Sequence, residues 1–243
     1  MKELINKVVE TAYNGKEGHI PSSLSILDIL YVIYEQKLNK NFILSKGHAT
    51  LGLYVVHNHF GLLNDISLYD FCSPGSQLIG HPSDKIDGIT ASTGSLGHGL
   101  PIGVGMALGN KIKNSKERVV VLIGDGEANE GTIWESALLA SHHKLGNLCC
   151  IMDHNKSGDR AVKMDRVIRK FGSFGWCSFN IDGHNHNAIR NALEYTNKNM
   201  PTFICANTIK GHGVKMMENN PEWHHKTPTY EQLIQIKEDL NES

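Results

Sequence analysis

Two short segments carry residue types suited to metal and anion chemistry. The first is GDGEANEG, residues 124–131, and the second is DHNKSG, residues 153–158. Asp125 supplies a carboxylate and Asn155, 30 residues later, a side-chain carbonyl. The backbone carbonyl of Ser157 offers a third oxygen. Oxygen-only ligands suit Mg²⁺, with Ca²⁺ as a substitute, and Mg²⁺ usually completes its shell with water and phosphate oxygens. Gly124 and Gly126 let backbone amides approach an anion, and a helix beginning near Thr132 adds its positive end. Alone, Gly-Asp-Gly after a strand is more often just a turn. An Asn at the end of the next strand shifts the reading to a metal-diphosphate cradle.

The histidines form a second constellation. Chance would put one or two of the 14 His directly after one of the 24 Gly. The sequence has six such pairs: Gly18-His19, Gly47-His48, Gly80-His81, Gly97-His98, Gly183-His184 and Gly211-His212. A preceding Gly frees the backbone for a tight turn and clears space beside the imidazole. Imidazoles on Gly-rich loops suit a site that handles hydroxyls, phosphates or protons. For any one of them a surface or capping role competes evenly, and for His184, between a strand end and a helix, that role is preferred.

The elements around these residues alternate. Arg118–Ile123, Asn147–Met152 and Thr202–Ala206 are short β-branched or apolar runs that read as strands. Helical patterns at Thr132–His143 and Asn187–Asn197 lie between them, which implies βαβ crossovers, an α/β class and a parallel sheet flanked by helices. Ligands in such sheets bind beyond the carboxyl ends of the strands, so both segments sit on one edge. Upstream, Leu24 to Ile33 is apolar enough to be one buried helix started by Pro21-Ser22-Ser23. Further helices are expected at Ala49–Phe60, from after Gly94 through PIGVGMALGNKI, and at Thr229–Leu240.

Length and composition set the outer bounds. The 243 residues fit one α/β domain, 1–243, with 40% hydrophobic and 20% charged residues. Net charge is −1 with basic residues scattered, so no nucleic-acid footprint is present. There is no signal-like segment and no run of apolar residues long enough for a membrane span. The five Cys, an odd number with no CxxC spacing, read as reduced core thiols of a cytoplasmic protein.

At this point a resemblance becomes specific. The ordered blocks GHIPSSLSILDIL, SKGHATLGLYVV, GHPSD, TGSLGHGLPIGVGMALGNK, GDGEANEGTIWES, DHNKSGDRA, IDGHN, TIKGHGV and NNPEWHHKTP resemble the N-terminal, diphosphate-binding domain of transketolases. They run from about residue 4 to residue 228. The resemblance implies the thiamine-diphosphate-binding fold and the cofactors thiamine diphosphate and Mg²⁺. It gives Asp125, Asn155 and the Ser157 carbonyl to the metal, and Gly126 and His48 to the diphosphate. It places His19 and His81 at the thiazolium and substrate hydroxyls, and His224 near the diphosphate and the reacting sugar. Gly94 and Leu96 present backbone to the aminopyrimidine, and Glu130 matches a glutamate that communicates across a dimer interface.

The sequence departs from the family at several positions. Ser95 stands where many transketolases have Pro, His98 where many have Gln, and His225 where Gly is usual. Asp159-Arg160 stands where a hydrophobic stretch is common. The chain also has no segment for the family's second and third domains. It therefore resembles the N-terminal subunit of a split transketolase, working in an α2β2 heterotetramer with a separate C-terminal subunit that supplies the pyrimidine-binding domain. The implied reaction moves a two-carbon ketol unit from a ketose phosphate to an aldose. The alternatives are a non-catalytic cofactor-binding module, and one subunit of either a deoxyxylulose-phosphate-synthase-like carboligase or a 2-oxoacid dehydrogenase. The GHPSD and TGSLGHG blocks disfavour the dehydrogenase.

Overall fold

A computed structural model of the chain describes residues 1–64 and 66–242. The strands are β1 (Phe42–Leu44), β2 (Val119–Gly124), β3 (Leu148–His154), β4 (Cys177–Asp182) and β5 (Thr202–Asn207). They form one parallel sheet in the order β1-β2-β3-β5-β4. The helices are α1 (Lys2–Gly15), α2 (Ile20–Leu24), α3 (Leu27–Glu35), α4 (Thr50–His59), α5 (Gly99–Ile112), α6 (Gly131–His142), α7 (Val167–Ser173), α8 (His186–Glu194) and α9 (Tyr230–Glu242).

Side chains alternate across a strand, and here the alternation feeds two cores. Val120, Leu122, Cys149, Ile151, Ile204 and Ala206 face the apolar sides of α1–α4, α8 and α9. Val119, Val121, Ile123, Cys150, Met152 and Cys205 face α5, α6 and α7. Both faces of the central strands are therefore covered, which is why they read as unbroken apolar runs. All five Cys are free thiols.

Three expectations change. The apolar stretch 20–33 is two helices, α2 and α3, rather than one. The break falls at Ser25, whose hydroxyl donates to the buried Asp153 carboxylate at 2.7 Å. α5 begins at Gly99 and not just after Gly94, because the Gly97 and Gly99 amides donate to the Glu127 carboxylate and the Ser45 hydroxyl. Two strands, β1 and β4, were not among the three named runs. β1 has only three residues, and β4 is an edge strand whose side chains are largely half-exposed.

The feature that matters for chemistry is the pairing of β2 with β3. Gly124 sits opposite Asp153, and the Asp125 amide continues the ladder to the Asp153 carbonyl at 3.2 Å. The two turns that follow these strands are thereby held side by side at the carboxyl edge of the sheet.

Candidate functional site

A cleft of about 350 Å³ opens at that edge. It is lined by His19, His48, His81, Gly94, Leu96, Gly124, Asp125, Gly126, Asn155, Ser157 and His224, all singled out in the sequence. Glu130 is not in the lining; it is exposed and immediately precedes α6. The start of α6 does not line the cleft either, because a short 3₁₀ turn, Glu127–Asn129, intervenes. The Gly124 amide is not free to approach a bound anion, because it donates to the Glu127 carboxylate at 3.0 Å.

The turns cross closely. A Cβ on Gly158 would stand 2.6 Å from the Gly126 nitrogen, so only Gly allows this approach. Asp125 Oδ1 accepts from the amides of Gly126 at 2.7 Å and Gly158 at 3.2 Å. Asp125 Oδ2 is buried without a hydrogen-bond partner. Burial, and then the charge of Asp153, push the Asp125 carboxyl above its ordinary range. An orphaned carboxylate oxygen beside a second carboxylate fits a divalent cation, whose charge would reverse that penalty. The amide of Asn155 is oriented by Asp153, which accepts its Nδ2–H at 2.8 Å. A carboxylate only accepts, so the Asn155 carbonyl must face the other way, toward the Ser157 amide at 3.0 Å. Asn155 and Asp125 thus each bring a side-chain oxygen to the cleft.

Three supports escaped the sequence reading. Lys46 is 1% exposed and pairs with Asp153, which is wholly buried. Burial alone would raise Asp153, but the Lys46 ammonium and the hydroxyls of Thr208 and Ser25 hold it below the usual carboxylate range. Glu127 is buried and accepts from Ser45, Gly97 and Gly124, which fastens the Gly94–Gly99 loop to the β2 turn; burial raises its pKa. Lys210 brings a second ammonium to the cleft, its pKa pushed down to about 8 by burial and by Lys46. Lys46 adjoins Gly47-His48, and a Lys inside an apolar, Gly-flanked stretch was the available signal. Asp153 opens the DHNKSG segment, but its pairing with Lys46 had no signal in the sequence.

The imidazoles gather on the other wall. His19 and His48 have ring centroids 5.2 Å apart, and His19 and His224 5.5 Å apart. Burial lowers His19 to about 4 and His48 to about 2, so both are neutral near pH 7. His19 Nδ1 lies 3.0 Å from the His224 carbonyl; that oxygen only accepts, so Nδ1 carries the proton and Nε2 the lone pair. His224 Nδ1 lies 3.1 Å from the Lys210 ammonium, which donates, so its Nε2 carries the proton. Burial, then Lys210, keep His224 below its ordinary value. One ring thus offers an acceptor and the other a donor. The His81 ring packs on Gly94, where a Cβ would meet it at 3.3 Å. His184 is outside the cleft: its Nδ1–H goes to Asp28 at 2.9 Å and its Nε2 accepts the Ile209 amide at 2.9 Å, a structural role.

Comparison with known proteins places this geometry. Residues 3–241 match the family model described as transketolase, thiamine diphosphate binding domain. An apulose-4-phosphate transketolase subunit from Phocaeicola vulgatus is 34% identical over 97% of this chain and 90% of that protein. The protein of the same name from Actinobacillus succinogenes is 35% identical over 97% of this chain and 92% of its own length. The transketolase structure from Campylobacter jejuni superposes with a TM-score of 0.86 at 27% identity, covering 99% of this chain but 41% of that one. The chain therefore spans about two fifths of the length of that solved transketolase, and it belongs to the transketolase family as a thiamine diphosphate binding domain.

Proposed function

We propose that the chain is the N-terminal subunit of a two-chain transketolase that transfers a two-carbon ketol unit from a ketose phosphate to an aldose, with Mg²⁺ and a separate pyrimidine-binding subunit. The observation that carries this is the buried, partnerless Asp125 Oδ2 in the same cleft as an oriented Asn155 amide and the neutral imidazoles of His19 and His48. Asp125, Asn155 and the Ser157 carbonyl would hold the metal. Gly126 and His48 would meet the diphosphate, with Lys210 offsetting its charge. Thiamine diphosphate, when bound, supplies the electron sink for breaking and forming a carbon–carbon bond. The chain's own part is to exclude water, orient the reactants and handle protons. His19 accepts a hydroxyl proton at Nε2, His224 donates from Nε2–H, and His81 steadies hydroxyls from across Gly94.

A partner is supported by the outer surface. On α5, Ile102, Gly105, Gly109 and Ile112 fall on one face, with Ile112 73% exposed and open space above both glycines. On α6, Leu138 is 61% and Leu139 46% exposed. The Thr132 hydroxyl donates to the Gly97 carbonyl at 2.9 Å, which ties the start of α6 to the Leu96 edge of the cleft. Exposed apolar side chains on two helices that pack together suit a contact between chains. The two relatives named as transketolase subunits, close to this chain in length, support a separate partner subunit, and the assembly proposed with it is α2β2.

The test is Asp125→Ala in the assembled enzyme. Calorimetry should find Mg²⁺-dependent thiamine diphosphate binding abolished. Wild-type cofactor affinity in that variant would overturn the metal assignment.

A further inference from the structure

Two segments 205 residues apart meet over the imidazole wall. One is the Glu17-Gly18-His19 loop. Gly18 has φ +131°, a conformation only glycine takes readily, and this bend brings the Glu17 side chain round beside the loop's own backbone. Glu17 Oε1 accepts the Gly18 amide at 3.0 Å. The other segment is His224-His225. It follows a short 3₁₀ turn, Pro221–Trp223, and no helix or strand holds it until α9 begins at Tyr230. Its carbonyl at His224 accepts the hydrogen bond from His19 Nδ1–H, so something must hold that carbonyl in place.

Side chains do this. His225 Nε2–H donates to Glu17 Oε1 at 2.6 Å, and the His225 ring lies 4.6 Å from the His19 ring. The hydrogen bond with His225 is the main reason the Glu17 carboxyl sits below its ordinary range. The contact is a strap: Glu17 on one side and His225 on the other close around His19, and the peptide carbonyl between His224 and His225 is drawn onto His19 Nδ1. Two other anchors are the buried indole of Trp223, which fixes where the segment starts, and the Lys210 ammonium on His224 Nδ1, which holds the His224 ring; the Glu17–His225 contact lies on the far side of the peptide carbonyl between them.

We propose that Glu17 and His225 are positioning residues whose hydrogen bond fixes the His224 carbonyl on His19 and so holds His19 as the Nδ1–H tautomer, with Nε2 as the accepting nitrogen. The inference rests on reading His19 as the residue that accepts a substrate proton. A neutral imidazole has two tautomers, and the wrong one presents a donor where the reaction needs an acceptor. In water the two differ little in energy, so an outside hydrogen bond must choose. Neither Glu17 nor His225 need touch substrate to matter.

The experiment uses the full chain labelled with ¹⁵N-histidine, with the His19 signals assigned by their loss in His19→Ala. Glu17→Ala and His225→Ala remove the strap. Glu17→Gln and His225→Gln keep an acceptor and a donor at the same reach. The Ala variants should show mixed His19 tautomers, and in the assembled enzyme a kcat/KM lower by about tenfold, as for loss of orientation, with cofactor affinity unchanged. The Gln variants should keep one tautomer and most of the activity, and the double Ala variant should be no worse than either single one. An unchanged His19 tautomer in both Ala variants, or losses that add in the double variant, would overturn the strap. A tautomer shift without any detectable ketose turnover in wild type would leave the strap standing and sink the reaction instead.

Discussion

To hold a metal, Asp125 would have to be ionised where burial and a neighbouring carboxylate oppose it. Removing its charge should therefore relieve the metal-free chain. Asp125→Asn is expected to raise the melting temperature without metal by about 2–4 °C, the size that ~1 kcal/mol produces in a chain this long, and to erase the further rise on adding Mg²⁺ and thiamine diphosphate. Scanning calorimetry with and without ligands reads both; a lower melting point without metal would contradict the argument. The histidines should behave differently. His19→Ala or His81→Ala should lower kcat/KM by ~10²-fold or more, as for positioned acid–base groups, with little change in cofactor binding. A matching loss of cofactor affinity would assign them to the cradle. At this scale the sequence was most legible where spacing encodes geometry. Asp125 and Asn155 are 30 residues apart because one helix and one strand separate two adjacent strand ends. Lys46, Asp153 and Glu127 were not legible, because each acts through a partner distant in sequence, 107 residues in the case of Lys46 and Asp153.

Elements reveal what local pattern cannot. The 20–33 stretch has the apolar density of one helix, yet a hydroxyl is needed at Ser25 to serve Asp153, and the helix breaks there. The Gly94–Gly99 loop looks ready to join α5, yet its amides are claimed by Glu127 and Ser45. Tertiary hydrogen bonds outcompeted helix propagation in both places. The three central strands were legible because both faces are buried; β1 was too short and β4 too exposed to announce themselves. Glu127 is the test of this scale. Glu127→Ala leaves the Gly97 and Gly124 amides and the Ser45 hydroxyl without an acceptor, and should cost about 2–3 kcal/mol, since unpaired buried donors are expensive. A denaturant midpoint measures it. A loss under ~0.5 kcal/mol, the range of a surface substitution, would mean that the staple is not holding the loop.

For the molecule as a whole, the depressed imidazoles make acid a denaturant. His19 and His48 titrate near 4 and 2 in the folded chain against 6.5 when unfolded, so the unfolded state binds more protons once pH falls below about 6.5. Stability is full above that value and is lost progressively through pH 4. Chemical denaturation of the chain alone at pH 7.5 and pH 5 should show the loss, and His48→Gln should flatten it. An assembled enzyme is expected to be needed for turnover: the chain with Mg²⁺ and thiamine diphosphate but no partner should convert no ketose phosphate, and adding the partner should restore both turnover and tight cofactor binding. Turnover unchanged by the partner would end the split-enzyme reading. The contact of His19 with His224 carries one more consequence. It joins groups 205 residues apart, and fixing groups so distant in sequence carries a loop-closure entropy cost. The turns after β2 and β3 are joined by strand pairing between neighbouring segments, whereas the partner of His19 Nδ1 comes from the far end of the sequence. The state of the His19 ring is thus tied to the meeting of the two ends of the sequence, from residue 19 to residue 224.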